Sequence, residues 1–357
     1  METLLLTISD TRAIVQEVGL NTLMDAMIAR LTHAFETFSP AKSIVPMREG
    51  FNYTKPHVGL IEWMPIMEIG GNVTVKMVGY HPENPEIHGL PTILGTISAY
   101  DTATGHLIGI VDGVFPTALR TGAASAVASR ELANPHSKTL GLIGCGAQAV
   151  SQAHALSRVF DFDDILIYDT DRTTAENFHK RVKFLDMSVV IPEEYTPEFV
   201  AENADILCTV TSVDVDAGAV FEFTEVKPWL HVNAVGADFP GKVELPNELL
   251  RRSFVVPDHT AQAKREGECQ QLQANDIGPE LVEMMQNRGK FDDVHTKMTV
   301  FDSTGYALED QVALELFLDF GEELGLGTRV QLEGVSAEPK DPYHFLANGA
   351  VPSGLCH

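Results

Sequence analysis

Apolar residues along this chain follow two rhythms. From Thr22 to Phe38, the residues Leu23, Met24, Met27, Ile28, Leu31, Phe35 and Phe38 recur at three- and four-residue intervals, which predicts one amphipathic helix. Thr22 with Asp25 behind it reads as the start, an acid near the positive end of the helix. After Ser39-Pro40 the runs shorten to strands over 58–64, 73–78, 92–99 and 107–111, divided by Gly70-Gly71 and by the segment from Pro82 to Pro91. An antiparallel sheet is the expected arrangement. A helix over 117–132 follows, whose Ala118, Ala123, Ala124, Ala126 and Ala128 suit close approach to another surface. Asn134-Pro135 ends it, because the residue before proline avoids helical backbone.

Strand and helix alternate beyond this point. Strands are predicted over 139–143, 165–168, 189–191, 206–210, 230–235, 254–256 and 299–301. Several are continuous apolar runs with polar edges, the pattern of a parallel sheet covered on both faces. A last amphipathic helix over 307–324 carries Leu308, Val312, Leu316 and Phe320, and is expected to return to the first sheet. The Pro-containing tail from Pro339 to His357 reads as poorly ordered or packed on a neighbour.

Composition narrows the classes. A length of 357 residues suits about two domains. Lys and Arg number 25 against 50 Asp and Glu, a formal charge of −25, which opposes a phosphate-backbone binder and so nucleic acid as a partner. Cys145, Cys208, Cys269 and Cys356 are scattered without a CxxC pair, so neither a disulfide framework nor a metal site is expected. The N-terminus lacks a basic, apolar leader, and nothing approaches a membrane span. A soluble, cytoplasmic protein is the expectation.

The strongest local signal is Gly144-Cys145-Gly146-Ala147-Gln148-Ala149, a GxGxxA turn that follows a buried strand and opens a helix. Gly144 permits the tight turn, Gly146 lets backbone approach a pyrophosphate, and Ala149 allows close helix–strand packing. Asp169 closes the next strand, 25 residues after Gly144, where an acid accepts from ribose hydroxyls and favours NAD over NADP. Arg172 nearby keeps NADP open. Thr209 and Thr211 end a later strand on the same cofactor edge, and Val235 and Gly236 end the one after it. The fold class is therefore α/β: a Rossmann-type NAD-binding domain plus a discontinuous α+β domain. The expected division is 1–125 for the first part of the α+β domain, 126–306 for the dinucleotide domain, and 307–357 for the return.

Charged residues also interrupt apolar segments. Glu62, Lys76 and Arg120 each sit beside otherwise buried positions, and a buried charge requires a partner or a ligand. Lys76 and Arg120 together suit a substrate carboxylate, Arg120 through a bidentate fork; a structural pair between Glu62 and Lys76 is the alternative. Asp238 lies in a Gly/Pro-rich loop after a dinucleotide-domain strand, placed for proton transfer or for binding an amine. A turn role is its plainer explanation. His231 reads as an ordinary strand residue.

Taken in order, these residues resemble the ornithine cyclodeaminase/mu-crystallin family. The likeness runs through Ile61-Glu62-Trp63-Met64-Pro65, Thr117-Ala118-Leu119-Arg120-Thr121, Leu142 to Gln148, and Asn233-Ala234-Val235-Gly236-Ala237-Asp238. It continues through Arg265-Glu266-Gly267-Glu268-Cys269-Gln270-Gln271-Leu272 and Val300 to Gly305. The resemblance implies a homodimer whose non-Rossmann domains pair, which makes the discontinuous α+β domain the substrate and dimerisation domain; it acts on a small basic amino acid, with NAD retained and recycled. It implies Arg48, Lys76 and Arg120 as carboxylate ligands and Glu62 and Asp238 as the acid/base pair. It further implies Thr92, Gly144, Gly146, Ala147, Gln148, Asp169 and Thr170 as cofactor contacts. The implied reaction is cyclisation of lysine or ornithine with loss of ammonia, by internal hydride transfer without net redox. Stretches around Glu62, Thr92 and Gly122 look more like the lysine enzymes. A ketimine reductase, an amino-acid dehydrogenase, or a non-enzymatic mu-crystallin-like binding protein are the alternatives within the resemblance.

Overall fold

The computed structural model describes residues 1–334 and 338–344. The tail reading from Pro339 onward, with Cys356, falls largely outside the described residues. In chain order the first part runs β1 (Thr3–Leu6), α1 (Ile8–Val18), α2 (Leu20–Thr37), β2 (Ser43–Ile44), β3 (Glu49–Tyr53), β4 (Gly59–Glu68) and β5 (Asn72–Tyr80). It continues with α3 (Asn84–Ile87), β6 (Ile93–Asp101), β7 (Leu107–Asp112) and α4 (Val114–Leu132). Next come β8 (Thr139–Ile143), α5 (Ala147–Ser157), β9 (Asp164–Tyr168), α6 (Arg172–Glu176), α7 (Phe178–Arg181), β10 (Ser188–Val190), α8 (Pro197–Asn203) and β11 (Ile206–Thr209). The last elements are β12 (His231–Ala234), α9 (Asn247–Arg252), β13 (Phe254–Pro257), α10 (Thr260–Glu266), α11 (Leu281–Gln286), β14 (Thr299–Asp302), α12 (Ala307–Glu323) and β15 (Thr328–Val330).

The continuous apolar runs become a seven-stranded parallel sheet in the order β10-β9-β8-β11-β12-β14-β13. Both faces are covered. Leu140, Leu142, Ile165, Ile167, Ile206 and Cys208 pack with Ala149 and Ala153 of α5, while Ile143, Leu207, Val232 and Val300 pack with Val200 of α8 and Leu249 of α9. Because successive side chains in a strand point to opposite faces, a run buried on both sides shows no polar alternation.

The shorter runs form an eight-stranded sheet in the order β15-β1-β7-β6-β5-β4-β2, with β3 also paired to β4. Its inner face carries Met64, Ile66, Ile97 and Val111 against Leu23, Met27, Leu31 and Phe35 of α2, Ala123, Ala124 and Val127 of α4, and Leu316 and Phe317 of α12. At the contact of α4 with α5, a β-carbon on Gly122 would lie 2.4 Å from the Ser151 carbonyl oxygen, so the small residues of α4 are what allow the two helices to meet.

Three expectations need correction. The long helix begins at Leu20, not Thr22, and a separate helix α1 precedes it across a turn at Gly19. That first helix buries only Thr11 and Ile14, too few positions to show a periodicity. The first sheet is not wholly antiparallel, since β1 pairs parallel with β7. The short strands β1, β2, β3 and β15 also went unread, none longer than five residues.

Candidate functional site: a cleft between two sheets

Parallel register brings the expected cofactor residues to one edge. Ile143 lies opposite both Tyr168 and Thr209, and Thr209 lies opposite Ala234. Gly144, Asp169, Thr211, Val235 and Gly236 therefore all follow strand ends at the carboxyl edge, where open α/β sheets collect ligands. Gly144 has φ 91°, and a β-carbon there would come within 2.9 Å of the Val210 carbonyl oxygen. Gly146 caps α5 without a side-chain bond, and the space beside it is open. The first turn of α5, with Ala147 and Gln148, thus points uncapped N–H groups and positive dipole into that space.

Asp169 ties this edge together. Its Oδ2 accepts from the Cys145 N–H at 2.7 Å and its Oδ1 from the Asp171 N–H at 2.9 Å. Thr170 beside it is exposed. Arg172 is turned onto the Tyr195 ring at 4.7 Å and pairs with Glu176 at 3.1 Å, so it is held by its own helix and its neighbour. A glycine cradle, an uncapped helix start and a strand-end acid are the parts a dinucleotide requires, and these residues fit one.

One residue of this edge had not been singled out. Glu244 is fully buried; its Oε1 accepts from the Thr211 N–H and hydroxyl, both at 2.6 Å, and its Oε2 from the Gly236 N–H at 2.9 Å. Burial raises its carboxyl above the ordinary range even though the Thr211 bonds favour the charge. Glu268 accepts in turn from the N–H groups of Glu244 and Leu245. Asp302 accepts from those of Glu268 and Cys269, and burial pushes its carboxyl up to about 7.

Across the cleft lies a cavity of about 500 Å³ whose lining includes Arg48, Glu62, Lys76, Arg120, Gln148, Val235, Asp238 and Lys242. Lys76 and Arg120 are already paired. Lys76 Nζ sits 2.9 Å from both oxygens of Asp310. Arg120 donates from Nε to Asp310 at 3.0 Å and from a terminal nitrogen to Glu309 at 2.6 Å. The alternative Glu62–Lys76 pair is thereby corrected: α12 lies on the inner face of the sheet and sets Asp310 against Lys76. Burial, reinforced by Arg120, lowers the Lys76 ammonium to about 8; burial raises the Glu309 carboxyl to about 8 against the pull of Arg120.

Glu62 lies instead beside Arg48, at 3.7 Å. Arg48 Nε is 2.6 Å from Glu266, and its terminal nitrogens donate to the carbonyls of Thr304 at 3.1 Å and Asp238 at 2.5 Å. Burial raises the Glu62 carboxyl; Arg48 opposes the rise and Asp238 adds to it. The Asp238 carboxylate, about two-fifths exposed, meets Lys242 Nζ at 3.0 Å. Thr209 is buried at the end of β11. Thr92 stands apart from the cavity lining, just before β6, its carbonyl accepting from the His81 N–H at 2.8 Å. His231 is a buried strand residue bonded to Thr299.

The model of the ornithine cyclodeaminase/mu-crystallin family matches residues 10–322. The chain belongs to that family. Within it, the L-lysine cyclodeaminase of Streptomyces rapamycinicus is 42% identical over 344 residues, 96% of this chain and 99% of that one. A solved lysine cyclodeaminase, studied for its recognition of L-lysine, L-ornithine and L-2,4-diaminobutyric acid, superposes with a TM-score of 0.93 at 48% identity, covering 97% of this chain and all of that one. An archaeal alanine dehydrogenase dimer with bound NAD follows at a TM-score of 0.81 and 30% identity, over 93% of this chain and all of that one. The chain is thus similar both to a cyclodeaminase and to a dehydrogenase on one fold. Among the described residues, no helix is long and apolar enough to cross a membrane.

Proposed function

We propose that the protein is an NAD-dependent cyclodeaminase, converting a basic L-amino acid to a cyclic imino acid with release of ammonia. L-Lysine to L-pipecolate is the favoured reaction and L-ornithine to L-proline the second. One observation carries the reading: a single cavity joins three buried cations, Arg48, Lys76 and Arg120, to the Asp238 carboxylate and to Gln148 and Val235 of the dinucleotide edge. A diamino acid offers the matching groups, a carboxylate at one end and an ammonium at the other. The 42% identity to a lysine cyclodeaminase supports the choice of lysine.

In this reading Gly144, Gly146, Ala147, Gln148, Asp169 and Thr170 hold the dinucleotide, with Thr209, Thr211, Val235 and Gly236 shaping the nicotinamide side and Thr92 a further contact. When bound, NAD⁺ would supply reversible hydride chemistry at the substrate Cα, with no net oxidation. Lys76 and Arg120 fix the carboxylate, and Arg48 joins them from the side of Glu62. Asp238 takes a proton from the distal ammonium, freeing a lone pair for attack on the oxidised α-carbon. Glu62, its proton affinity raised by burial, exchanges a proton with the α-nitrogen as that nitrogen leaves as ammonia. The cleft contributes by holding the two ends of one molecule at reacting distance.

The division at 125/126 and 306/307 assigns the parallel sheet to the dinucleotide and the other sheet to substrate and dimerisation. Phe51 pairs with Ile61 and Trp63 with Met77 on the outer face of that sheet; the Phe51 and Trp63 rings lie 5.6 Å apart, and Phe51 is 68% exposed. So exposed an apolar face suits a second copy of the chain. The free, buried thiols of Cys145, Cys208 and Cys269 agree with a cytoplasmic setting.

The test is incubation of purified protein with L-lysine or L-ornithine and trace NAD⁺, following ammonia, absorbance at about 340 nm and cyclic product together. Ammonia and cyclic product in large excess over cofactor, without accumulating NADH, establish the cyclodeaminase and name its substrate. Stoichiometric NADH instead would mean a dehydrogenase.

A further inference from the structure

The loop that carries Asp238 also brings a cation to it. Lys242 is only 6% exposed, unlike a typical surface lysine. Its N–H donates to the Phe239 carbonyl at 3.0 Å and its carbonyl accepts from Gln270 Nε2 at 2.9 Å, while the Gln270 Oε1 accepts from the Gly241 N–H at 2.8 Å. The side chain is thereby aimed into the cavity, Nζ 3.0 Å from Asp238 and 5.9 Å from the centre of the Tyr80 ring. An alkylammonium on the Asp238 carboxylate is the same group that a diamino acid would bring to it. Lys242 occupies, from within the chain, the partner role that the substrate's distal ammonium must take.

We infer that Lys242 is a positioning residue that, through Asp238, keeps the substrate's distal nitrogen unprotonated for ring closure. The inference rests on the cyclodeaminase reading. Two ammonium groups sharing one carboxylate repel each other, and like charge disfavours the second proton. Lys242 is the one that stays charged: burial works against it, but Asp238, Tyr80 and the buried Glu244 more than offset that effect. The substrate nitrogen therefore gives up the proton. Its N–H bond breaks with the electron pair left on nitrogen, an O–H bond forms on Asp238, and the exposed side of Asp238 passes the proton to water. Arg48 and Glu62 face Asp238 with opposite charges, and Asp214 faces Tyr80, so Lys242, paired to Asp238 itself, is the cation that the substrate's ammonium meets at this end.

The experiment compares the NAD-loaded full chain with Lys242→Met and Lys242→Arg. In Lys242→Met the acid limb of kcat, which reports groups in the substrate complex, should move up by about one pH unit, with kcat at neutral pH down by about tenfold and KM not raised. Lys242→Arg should keep the original limb. A second readout needs no turnover: 6-aminohexanoate carries the carboxylate and the distal ammonium but no α-nitrogen, and should bind Lys242→Met several-fold tighter because its competitor is gone. If Lys242→Met does not fold, Lys242→Gln is read the same way. An unmoved acid limb, or a raised KM at constant kcat, would overturn the proposal and leave Lys242 as a pin for its loop. Unchanged or weaker binding of 6-aminohexanoate would overturn it too. An unmutated protein that makes no cyclic product defeats the cyclodeaminase reading itself, and the binding comparison then still decides whether Lys242 competes at Asp238.

Discussion

The two walls of the cleft use buried acids in different ways. On the dinucleotide side, Asp169, Glu244, Glu268 and Asp302 accept chiefly from backbone N–H groups and so fix the path of loops. On the substrate side, Glu309 and Asp310 face Arg120 and Lys76 and so balance charge, as Glu266 does for Arg48 from across the cleft. A carboxylate that organises N–H groups shapes a site for a ligand that binds through backbone, as a pyrophosphate does. A carboxylate paired to a guanidinium or ammonium keeps that cation charged and in place until a ligand carboxylate arrives. The contrast teaches that burial of an acid alone does not tell its task; the partner does.

Substitutions can break this contrast, and the largest effect is expected at the junction of the walls. Asp238→Asn should lower cyclising turnover by about a thousandfold while NAD still binds, measured as ammonia release beside a cofactor titration. Undiminished turnover would remove the proton-transfer role. Asp310→Asn should destabilise the fold by about 3–5 kcal/mol, because Lys76 and Arg120 lose their shared counter-charge; chemical denaturation reads this, and an unchanged midpoint would show the pairing to be idle. Glu244→Gln turns an amide N–H against the Thr211 or Gly236 N–H and should weaken dinucleotide binding by about tenfold, with substrate-analogue affinity little changed. A loss confined to the substrate analogue would move Glu244 to the other wall. The smallest effect concerns pH. Lys76, lowered to about 8, holds a carboxylate only while charged, so affinity for the cyclic product should decline as pH rises through about 8. Affinity that stays level across that range would exclude Lys76 as a ligand.

Legibility in the sequence followed the same divide. The dinucleotide edge was readable because its signal is local: Gly144 to Ala149 lie in one turn, and Asp169 ends the very next strand. Arg48, Lys76 and Arg120 were also named, two of them as charges interrupting apolar runs. The counter-charges of Lys76 and Arg120 were not. Glu309 and Asp310 open an amphipathic helix, where acids ordinarily serve the dipole, and nothing local tells that α12 is buried against β5 and α4 at that point. Glu244 left one faint mark, an acid between Val243 and Leu245. Lys242 follows Gly241 in a turn, where nothing local tells that its side chain is buried. The short strands β2 and β15 were unreadable for a related reason: they span two and three residues and take their pairing from β4 and β1, whereas β3 pairs with the next strand, β4, but is too exposed to show an apolar alternation.

The step from β14 to α12 carries the main chain from one sheet to the other, and it takes only Ser303, Thr304, Gly305 and Tyr306. Three of these line the cavity, and the Thr304 carbonyl receives Arg48. Immediately beyond, Glu309 and Asp310 grip Arg120 and Lys76. The link between the two sheets and the wall of the proposed carboxylate site are thus one stretch of chain. The same few residues therefore set both the spacing of the two sheets and the positions of Arg48, Lys76 and Arg120, so a change in this link would displace all three cations together.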